Sequence, residues 1–404
     1  MHQTFNLESG SSTLPALIPG SSITFARWVR KPDRNLCEKA EVRTSILRTP
    51  GRTSLVDKWT RLALTQQKPG QYRQEAFHFY RKDQLMEIIE THTGKIYVDR
   101  ERRLEFLTVG DYGKENNIKA DFLGLHKEIN GVKHHDVDLT DKWVATISMQ
   151  KGCPMRCKFC DCPKYGFYGN VTLDDMVYEI ETILTHEDVS HTNRFNVHFA
   201  RMGEPTFNWD VITFANEKLR NLVAEHIDAK TVHPVVSTML PKSNKRLEEF
   251  LLRWCEIKNV EYGGEAGLQF SINSTDEAQR NEQFNGMSLC LDKISSLAAK
   301  LPMPVGRKYT LNFAVTKDTI LDAEKLSALF DKEKFIVKIT PIHETNSAVD
   351  NGFAVTTSYE DYDVYRDFEK SLVEDGWDVI VFVPSKEEDS DRITCGNALI
   401  SNPV

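Results

Sequence analysis

The sequence predicts an α/β protein, a partial parallel (β/α)6 barrel that follows an N-terminal accessory α+β domain. From Trp143 onward, short β-branched or aromatic runs alternate with amphipathic stretches of helical period, the pattern of repeated βα units. Four of the 8 cysteines lie between Cys153 and Cys162, directly after the first of these runs. Parallel barrels carry their chemistry at the carboxyl ends of the strands, so we expect the functional site at this cysteine-rich loop.

The barrel elements follow from the periodicity of the chain. The predicted strands are Trp143–Met149, Asn196–Ala200, Val235–Thr238, Leu268–Ile272, Tyr309–Val315 and Phe335–Thr340. The predicted helices are Leu173–Leu184, Trp209–Asn221, Asn244–Ile257, Leu321–Asp331 and Tyr362–Asp375. Thr172 and Asp175 stand in capping-box spacing at the start of the first helix. We therefore assign residues 136–404 to the barrel and a C-terminal extension.

Residues 1–135 lack this βα rhythm. Residues 1–22 are rich in Ser, Gly and Pro, which predicts a flexible N-terminal arm. Residues 23–135 predict the accessory domain, with a helix over Gln84–Glu90 and a pair of strands over Lys95–Asp99 and Arg103–Val109.

The charge of the chain is unevenly distributed. The formal net charge is −8, but residues 27–82 contain 14 Lys and Arg against 5 Asp and Glu, a net charge of +9. Aromatic residues such as Trp28 and Trp59 are interleaved with these cations. Cations that meet phosphates and rings that stack on bases are typical of a nucleic-acid-binding surface. A solvated basic face with a few core aromatics is the alternative, and both interpretations stay open.

Composition limits the class of protein. At 404 residues the chain is long enough to bury a sizeable core. It contains no apolar run near the roughly 18 residues of a membrane span, and its N-terminus lacks the pattern of a signal peptide. We therefore expect a cytoplasmic protein without a membrane partner. Its cysteines are too few for a disulfide scaffold and too clustered to be incidental, which indicates metal binding.

The cysteine loop has the sequence KGCPMRCKFCDCPKYGF. The spacing Cys-x3-Cys-x2-Cys allows Cys153, Cys157 and Cys160 to bind three irons of a [4Fe-4S] cubane and leaves the fourth iron without a protein ligand. A zinc knuckle with Cys162 as fourth ligand is the alternative, but the Cys-x-Cys spacing strains a tetrahedral site. We expect Cys162 to be a neighbouring thiol and not a ligand.

Several motifs resemble one family, the RlmN/Cfr-like adenine-C2/C8 RNA methyltransferases of the radical S-adenosylmethionine (SAM) superfamily. The resemblance covers about Trp143 to Ile400 and includes the cysteine loop with its upstream Ser and Gln. The other matching motifs are Met202-Gly203-Glu204-Pro205 with Asn208, Ser237-Thr238, and Ser271-Ile272-Asn273 with Asp276 and Arg280. The resemblance implies a [4Fe-4S] cluster and S-adenosyl-L-methionine as cofactors. The implied SAM-binding residues are Gly203, Glu204, Ser237, Ser271, Ile272, Asn273 and His343.

A C-terminal motif bears on the mechanism. The segment Ile393-Thr394-Cys395-Gly396-Asn397-Ala398-Leu399 resembles the family's Ala-Cys-Gly-Gln-Leu, whose cysteine takes a methyl group from SAM. The resemblance thus implies a catalytic Cys395; the alternative is a buried cysteine beside a turn glycine. Two positions depart from the family: Thr146 stands where a second catalytic cysteine is expected, and His343 stands where an asparagine is expected.

Three functions are compatible with these residues. The first is radical SAM methylation of a nucleic-acid base, RNA rather than DNA, through a methylated Cys395. The second keeps the SAM site but uses the 5′-deoxyadenosyl radical directly on a modified base or a nucleic-acid-tethered group, as Thr146 favours. The third is a non-catalytic iron–sulfur or zinc protein that binds nucleic acid. For either enzyme the resemblance implies an electron donor such as flavodoxin or ferredoxin, and we expect a monomer.

Overall fold

The structure, a computed structural model, describes residues 24–27, 41–44, 86–109, 127–129, 132–134, 138–353, 363–384 and 386–401. The chain divides into two compact units, Met1–Leu85 and Met86–Val404. In the first unit the described residues form one antiparallel pair, Thr24–Arg27 with Glu41–Thr44. The predicted arm at 1–22 and most of the basic segment at 27–82 lie outside the described residues, so both assignments stay predictions.

The second unit is built on one ten-stranded sheet. Its strands are β1 (Met86–Glu90), β2 (Gly94–Asp99), β3 (Leu104–Val109), β4 (Trp143–Ile147), β5 (Phe195–Phe199), β6 (Val232–Thr238), β7 (Gly267–Ser271), β8 (Tyr309–Val315), β9 (Phe335–Pro341) and β10 (Val379–Val381). The spatial order of the strands follows the chain order from β1 to β10. Strands β4 to β10 are parallel, whereas β1 to β4 pair antiparallel.

Helices connect the parallel strands. They are α1 (Leu173–His186), α2 (Asp210–Thr213), α3 (Leu219–His226), α4 (Leu247–Glu256), α5 (Glu277–Gln283), α6 (Leu291–Lys300), α7 (Ala323–Leu329), α8 (Asn346–Asp350), α9 (Asp363–Glu374) and α10 (Lys386–Ser390). Single π-helical stretches, Phe214–Lys218 and Ile257–Glu261, follow α2 and α4. The sequence did not predict α5, α6, α8 and α10. The Thr172 hydroxyl accepts a hydrogen bond from the Asp175 amide at 3.1 Å, which confirms the predicted cap of α1.

The chain order of the strands fixes where the helices lie. Crossovers between adjacent parallel strands are right-handed, so a sheet wound in one direction has its helices on one face. Alternate strand residues on that face, among them Phe199, Phe270 and Val337, are buried in one apolar core with helix residues such as Ile180 and Trp254. This arrangement confirms the α/β class and the six predicted strands. We call the helix-free side of β4 to β9 the inner face.

The strands β1 to β3 continue the same sheet. The predicted pair at 95–109 is confirmed as the antiparallel β2 and β3, and β3 pairs with β4 through Leu107 opposite Thr146. The predicted helix over Gln84–Glu90 is wrong, because Met86–Glu90 pairs with β2 as strand β1. Residues 86–109 therefore extend the barrel sheet. The assignment of the rest of 23–135 to an accessory domain stays a prediction.

Short strands complete the described residues: Lys127–Ile129, Val132–His134, Gln150–Gly152, Phe167–Asn170, His191–Thr192 and Asp228–Ala229. Single 3-10 turns occur at Cys162–Tyr165, Pro205–Phe207 and Leu399–Ser401. Within the part of the chain that the structure describes, no helix has both the length and the apolar character needed to cross a bilayer.

Candidate functional site

The cysteine loop leaves the carboxyl end of β4 and is closed at its base by two strands. Gln150–Gly152 pairs antiparallel with Phe167–Asn170, and the Cys153 amide donates a hydrogen bond to the Gly166 carbonyl at 3.0 Å. Gly152 has φ = 81°, and a Cβ there would lie 1.9 Å from the Gly166 oxygen. Since no side chain fits that gap, glycine at 152 is required for the two ends of the loop to meet.

The three predicted ligands lie on this loop. Cys153, Cys157 and Cys160 are half-buried, and Cys153 and Cys157 pack against an apolar group formed by Met155, Met239 and Phe284. Desolvation raises the pKa of Cys153 and Cys157, and neighbouring thiolates raise it further. The pKa of Cys160 is lowered, chiefly because the Cys162 thiol hydrogen-bonds its sulfur. Several thiolates in an apolar shell are stable only with a bound cation, so this donor set fits an iron–sulfur cluster.

Among the described residues, no three His, Cys, Asp or Glu side chains are grouped as ligands of one metal ion. The preference for a cubane over a zinc site therefore rests on the spacing of the cysteines along the chain. Cys162 itself is buried, and its thiol lies 3.4 Å from the Arg201 carbonyl oxygen.

The Gly-Glu-Pro motif lies at the carboxyl end of β5, beside the cysteine loop. A Cβ at Gly203, where φ is 94°, would lie 2.5 Å from the Gln150 Cβ. The Glu204 amide donates to the Gln150 side chain at 2.9 Å, and its carboxylate accepts hydrogen bonds from the Met239 amide (3.0 Å) and the Thr206 hydroxyl (2.7 Å). Burial raises the Glu204 pKa, and these hydrogen bonds oppose the shift. Glu204 therefore joins the cysteine loop to the end of β6, and its contact with SAM stays a prediction.

The remaining predicted SAM residues fall into two groups. Ser237 and Ser271 are half-buried on the inner face, at the carboxyl ends of β6 and β7. Asn273 is buried with φ = 61°, and its side-chain NH2 has no hydrogen-bond partner among the described residues. An orphaned buried donor beside the inner face fits a bound ligand. Ile272, in contrast, packs into the core on the helix side, so only its backbone can face a ligand.

His343 lies beside the C-terminal segment, away from Ser237 and Ser271. Its Nδ1 atom lies 3.1 Å from Asp389 Oδ1, and the other Asp389 oxygen accepts a hydrogen bond from the Glu344 amide at 2.9 Å. Asp389 also accepts hydrogen bonds from the side chains of Thr394 and Asn397. His343 thus lies beside the anchor of the segment that carries Cys395.

A buried ion pair fixes the C-terminal segment on the sheet. Arg201, just after β5, donates through Nε to Glu105 of β3 at 2.9 Å, and both side chains are inaccessible to solvent. The other guanidinium nitrogens donate to backbone carbonyls of Arg392 (3.0 Å), Ile393 (3.4 Å), Thr394 (3.2 Å) and Asn397 (2.9 Å). Glu105 accepts hydrogen bonds from the amides of Leu399 (3.0 Å) and Ile400 (2.6 Å). We call this set of contacts the C-terminal clamp.

The clamp presents Cys395 beside the cysteine loop. The Cys395 thiol is exposed and lies 4.0 Å from the Ala200 carbonyl oxygen at the end of β5. The next residue, Gly396, accepts a hydrogen bond from the Asp161 amide at 2.9 Å, and a Cβ on it would lie 3.6 Å from the Cys160 Cα. Desolvation and the Cys160 thiolate raise the pKa of Cys395 to about 11, against the opposing effect of Arg201 and Lys338. Cys395 is thus an accessible, protonated thiol.

Sequence reasoning did not identify the clamp. Glu105 is a charged residue inside the apolar strand LEFLTV, and a buried charge of this kind is the signal that could have indicated a partner. Arg201 directly precedes the Gly-Glu-Pro motif but was not singled out. Asp161 was also missed: it lies between two loop cysteines and accepts hydrogen bonds from the Ser347 amide and hydroxyl at 2.8 and 2.7 Å.

Comparison with known proteins supports a distant relationship. The chain is 26% identical over 222 residues to "Dual-specificity RNA methyltransferase RlmN" of Aliarcobacter butzleri, which covers 54% of this chain and 58% of that protein. It is 25% identical over 214 residues to a probable RlmN of Thermotoga petrophila, covering 51% and 56% of the two chains. The chain is thus similar to RlmN proteins over about half of its length. It spans little more than half the length of these RlmN relatives.

No family model matches the chain. Among solved structures, a radical SAM methyltransferase from Sphaerobacter thermophilus aligns with a TM-score of 0.48 and 16% sequence identity, covering 78% of this chain and 81% of that one.

The clamp yields a stability prediction. Glu105→Gln leaves the buried Arg201 charge without its counter-ion, which typically costs about 3–5 kcal/mol. We expect urea unfolding of the variant to show a loss of that size. Glu249→Gln is the matched control, since Glu249 pairs with Arg246 at 2.8 Å on the exposed surface, where solvent screens the pair, and this variant should show a much smaller loss. Equal losses in the two variants would contradict the clamp.

Proposed function

We propose that this chain is a radical SAM enzyme that methylates a nucleic-acid base, RNA rather than DNA, through Cys395. The observation that carries the proposal is the accessible Cys395 thiol, held next to the Cys160 loop by the C-terminal clamp. The RlmN relatives are named as RNA methyltransferases, which agrees with this activity.

The cofactors have a matching set of residues. A [4Fe-4S] cluster on Cys153, Cys157 and Cys160, reduced by a flavodoxin or ferredoxin, would supply the electron that cleaves SAM to a radical. The unpartnered Asn273 amide and the half-buried Ser237 and Ser271 would bind SAM on the adjoining inner face. Glu204 would hold the end of β6 against the cysteine loop and so position these groups.

Cys395 is suited to accept the methyl group. Its sulfur would attack the methyl carbon of the SAM sulfonium: the new S–CH3 bond forms, the sulfonium S–CH3 bond breaks, S-adenosylhomocysteine leaves, and the thiol loses its proton. Only the thiolate is a strong nucleophile, and the raised pKa keeps Cys395 protonated at neutral pH. Arg201 and Lys338 favour the thiolate electrostatically, so they assist the loss of this proton.

A second candidate function follows from Thr146. This residue is half-buried on the inner face of β4, in register with His198 of β5. It occupies the position where the family resemblance implies a second catalytic cysteine. Threonine cannot form the disulfide that would release a base bound to the enzyme, so direct hydrogen abstraction by a 5′-deoxyadenosyl radical is the alternative.

An exposed aromatic surface supports a nucleic-acid substrate. Phe167 and Tyr168, on the strand that closes the cysteine loop, are 48% and 52% exposed. The Arg103 guanidinium lies 3.8 Å above the centre of the Tyr168 ring, and Tyr165 contacts the same ring edge-on. Arg103 has no ion pair with any described residue, so its charge is free to meet a phosphate. Rings beside an unpaired arginine are typical of surfaces that stack single-stranded bases.

The cluster assignment is tested by substitution. Cys153→Ala, Cys157→Ala and Cys160→Ala should each abolish the iron–sulfur absorbance of anaerobically purified protein, because each removes one of three thiolate ligands. Cys162→Ala is the matched control and should keep the cluster. Zinc without iron in the wild-type protein would overturn the assignment.

The role of Cys395 is tested by mass spectrometry. Methyl transfer from SAM to a thiol requires no radical, so the Cys395 peptide from purified protein should carry a mass increment of about one methylene. The peptide with Cys290, a half-buried thiol outside the site, should carry none. If the Cys395 peptide is unmodified and Cys395→Ala still forms 5′-deoxyadenosine with substrate, direct hydrogen abstraction replaces methyl transfer as the function.

The aromatic surface is tested by RNA binding. Phe167→Ser and Tyr168→Ser should each weaken binding of a single-stranded RNA oligonucleotide roughly tenfold, since base stacking contributes about 1–3 kcal/mol per ring. Fluorescence anisotropy at fixed ionic strength gives the dissociation constants. Met303→Ser is the control, because Met303 is 55% exposed on the loop before β8, at the other end of the strands. If the wild type and the three variants bind RNA with equal affinity, this surface does not bind RNA.

A further inference from the structure

The inner face of the sheet is lined by polar side chains. Strand residues alternate between the two faces, and the residues that alternate with the helix-side core point to the inner face. They are half-buried and come from each of β4 to β9: Thr146, His198, Ser237, Gln269, Ser271, Asn312 and Lys338. Polar groups that converge from six strands on one space are the usual lining of a ligand site.

None of these seven side chains forms a hydrogen bond or ion pair with another residue that the structure describes. Polar groups inside a fold are almost always paired, and the exceptions call for a physical explanation. Buried hydroxyls elsewhere in the same sheet are paired: the Thr108 hydroxyl of β3, for example, accepts a hydrogen bond from the Trp143 indole at 2.7 Å. The inner face is therefore a set of free donors and acceptors, which water or a ligand must satisfy.

Strand register places three of these residues in one row. Ser271 of β7 is the register partner of Asn312 of β8, and Asn312 is the register partner of Lys338 of β9. Directly opposed residues on one face of a sheet have Cβ atoms roughly 5 Å apart. A hydroxyl, an amide and an ammonium group thus stand side by side. Each of the three can donate a hydrogen bond to an oxyanion, and the ammonium group adds a positive charge.

The charges around this row are positive. Arg194 and Arg307 lie at the amino ends of β5 and β8, and Arg307 is the nearest positive influence on Lys338. Burial, followed by the Arg307 charge, lowers the Lys338 pKa to about 8. The described carboxylate in this region, Glu265, is 51% exposed and lies 3.1 Å from His233. Lys338 is thus a half-buried cation without a protein counter-ion among the described residues, an arrangement that favours the binding of an anion.

We propose that the inner face binds a phosphate group, held by Lys338 and Asn312. The ligand class is a phosphate-bearing molecule small enough to lie against the inner face over β8 and β9, either a free nucleotide or the phosphate of an RNA end. Cys395 and Lys338 influence each other electrostatically, so the proposed site lies in the neighbourhood of the accessible thiol. The proposal goes beyond methyl transfer and requires neither the cluster nor a modified Cys395.

Calorimetric titration of the full-length protein with inorganic phosphate and with adenosine monophosphate tests the site. We expect both ligands to bind. Lys338→Met should weaken the binding of each at least about tenfold, because it removes a charge-assisted hydrogen bond. Lys308→Met is the control matched in charge: Lys308 is half-buried, but it already pairs with Asp378 at 2.8 Å. The Lys308→Met variant should bind phosphate with the affinity of the wild type.

A second substitution keeps the test informative if Lys338→Met fails to fold. Asn312→Asp preserves shape but places a carboxylate against the phosphate, so it should lower affinity at least as much. A 5′-phosphorylated RNA oligonucleotide, compared with its 5′-hydroxyl form, distinguishes an RNA end from a free nucleotide as the source. If neither phosphate nor adenosine monophosphate binds the wild type, or both bind all variants equally, the site does not exist. Methylation of Cys395 is measured separately on the wild-type protein, so the phosphate site and the methyl carrier can fail independently.

Discussion

The buried pair of Arg201 and Glu105 is the interaction on which the site depends. Taking two charges out of water costs several kcal/mol per ion, and their mutual attraction offsets that cost only when the remaining hydrogen-bonding capacity is used. Here backbone groups of residues 392–400 use it. The pair and the C-terminal segment therefore stabilise each other: without the segment the ions lack partners, and without the ions the segment lacks an anchor. Cys395 owes its position to this mutual requirement.

The sheet could be predicted because its strands carry their own signal. Runs such as Tyr309–Val315 are β-branched or aromatic and are bounded by turns, so local sequence and tertiary pairing agree. The segment Met86–Glu90 shows the opposite case. Its residues, MEIIE, favour a helix by propensity, but pairing with β2 along the whole segment overrides that preference. Pairing partners that are remote from a segment cannot be inferred from its own composition.

The functional site likewise contains parts that local sequence could predict and parts that depend on remote partners. The three cysteines proposed as cluster ligands could be singled out from the sequence because one short loop contains all of them at a spacing typical of such ligands. The clamp could not, since Glu105, Arg201 and Asn397 are separated by about a hundred residues or more and share no motif. The row of polar residues on the inner face also depends on remote partners, because the pairing register of the strands aligns it. Asn312 was an ordinary strand residue until pairing placed it between Lys338 and Ser271, a predicted SAM-binding residue.

The clamp also bears on the order in which the chain folds. Strands β4 to β9 pair with their neighbours in sequence, so each βα unit can add to the last with a short loop to close. The contact between Glu105 and Ile400, in contrast, spans 295 residues. Closing so long a loop costs conformational entropy that only a formed sheet can offset. The clamp should thus be absent from the folding transition state, so weakening it accelerates unfolding more than it slows folding.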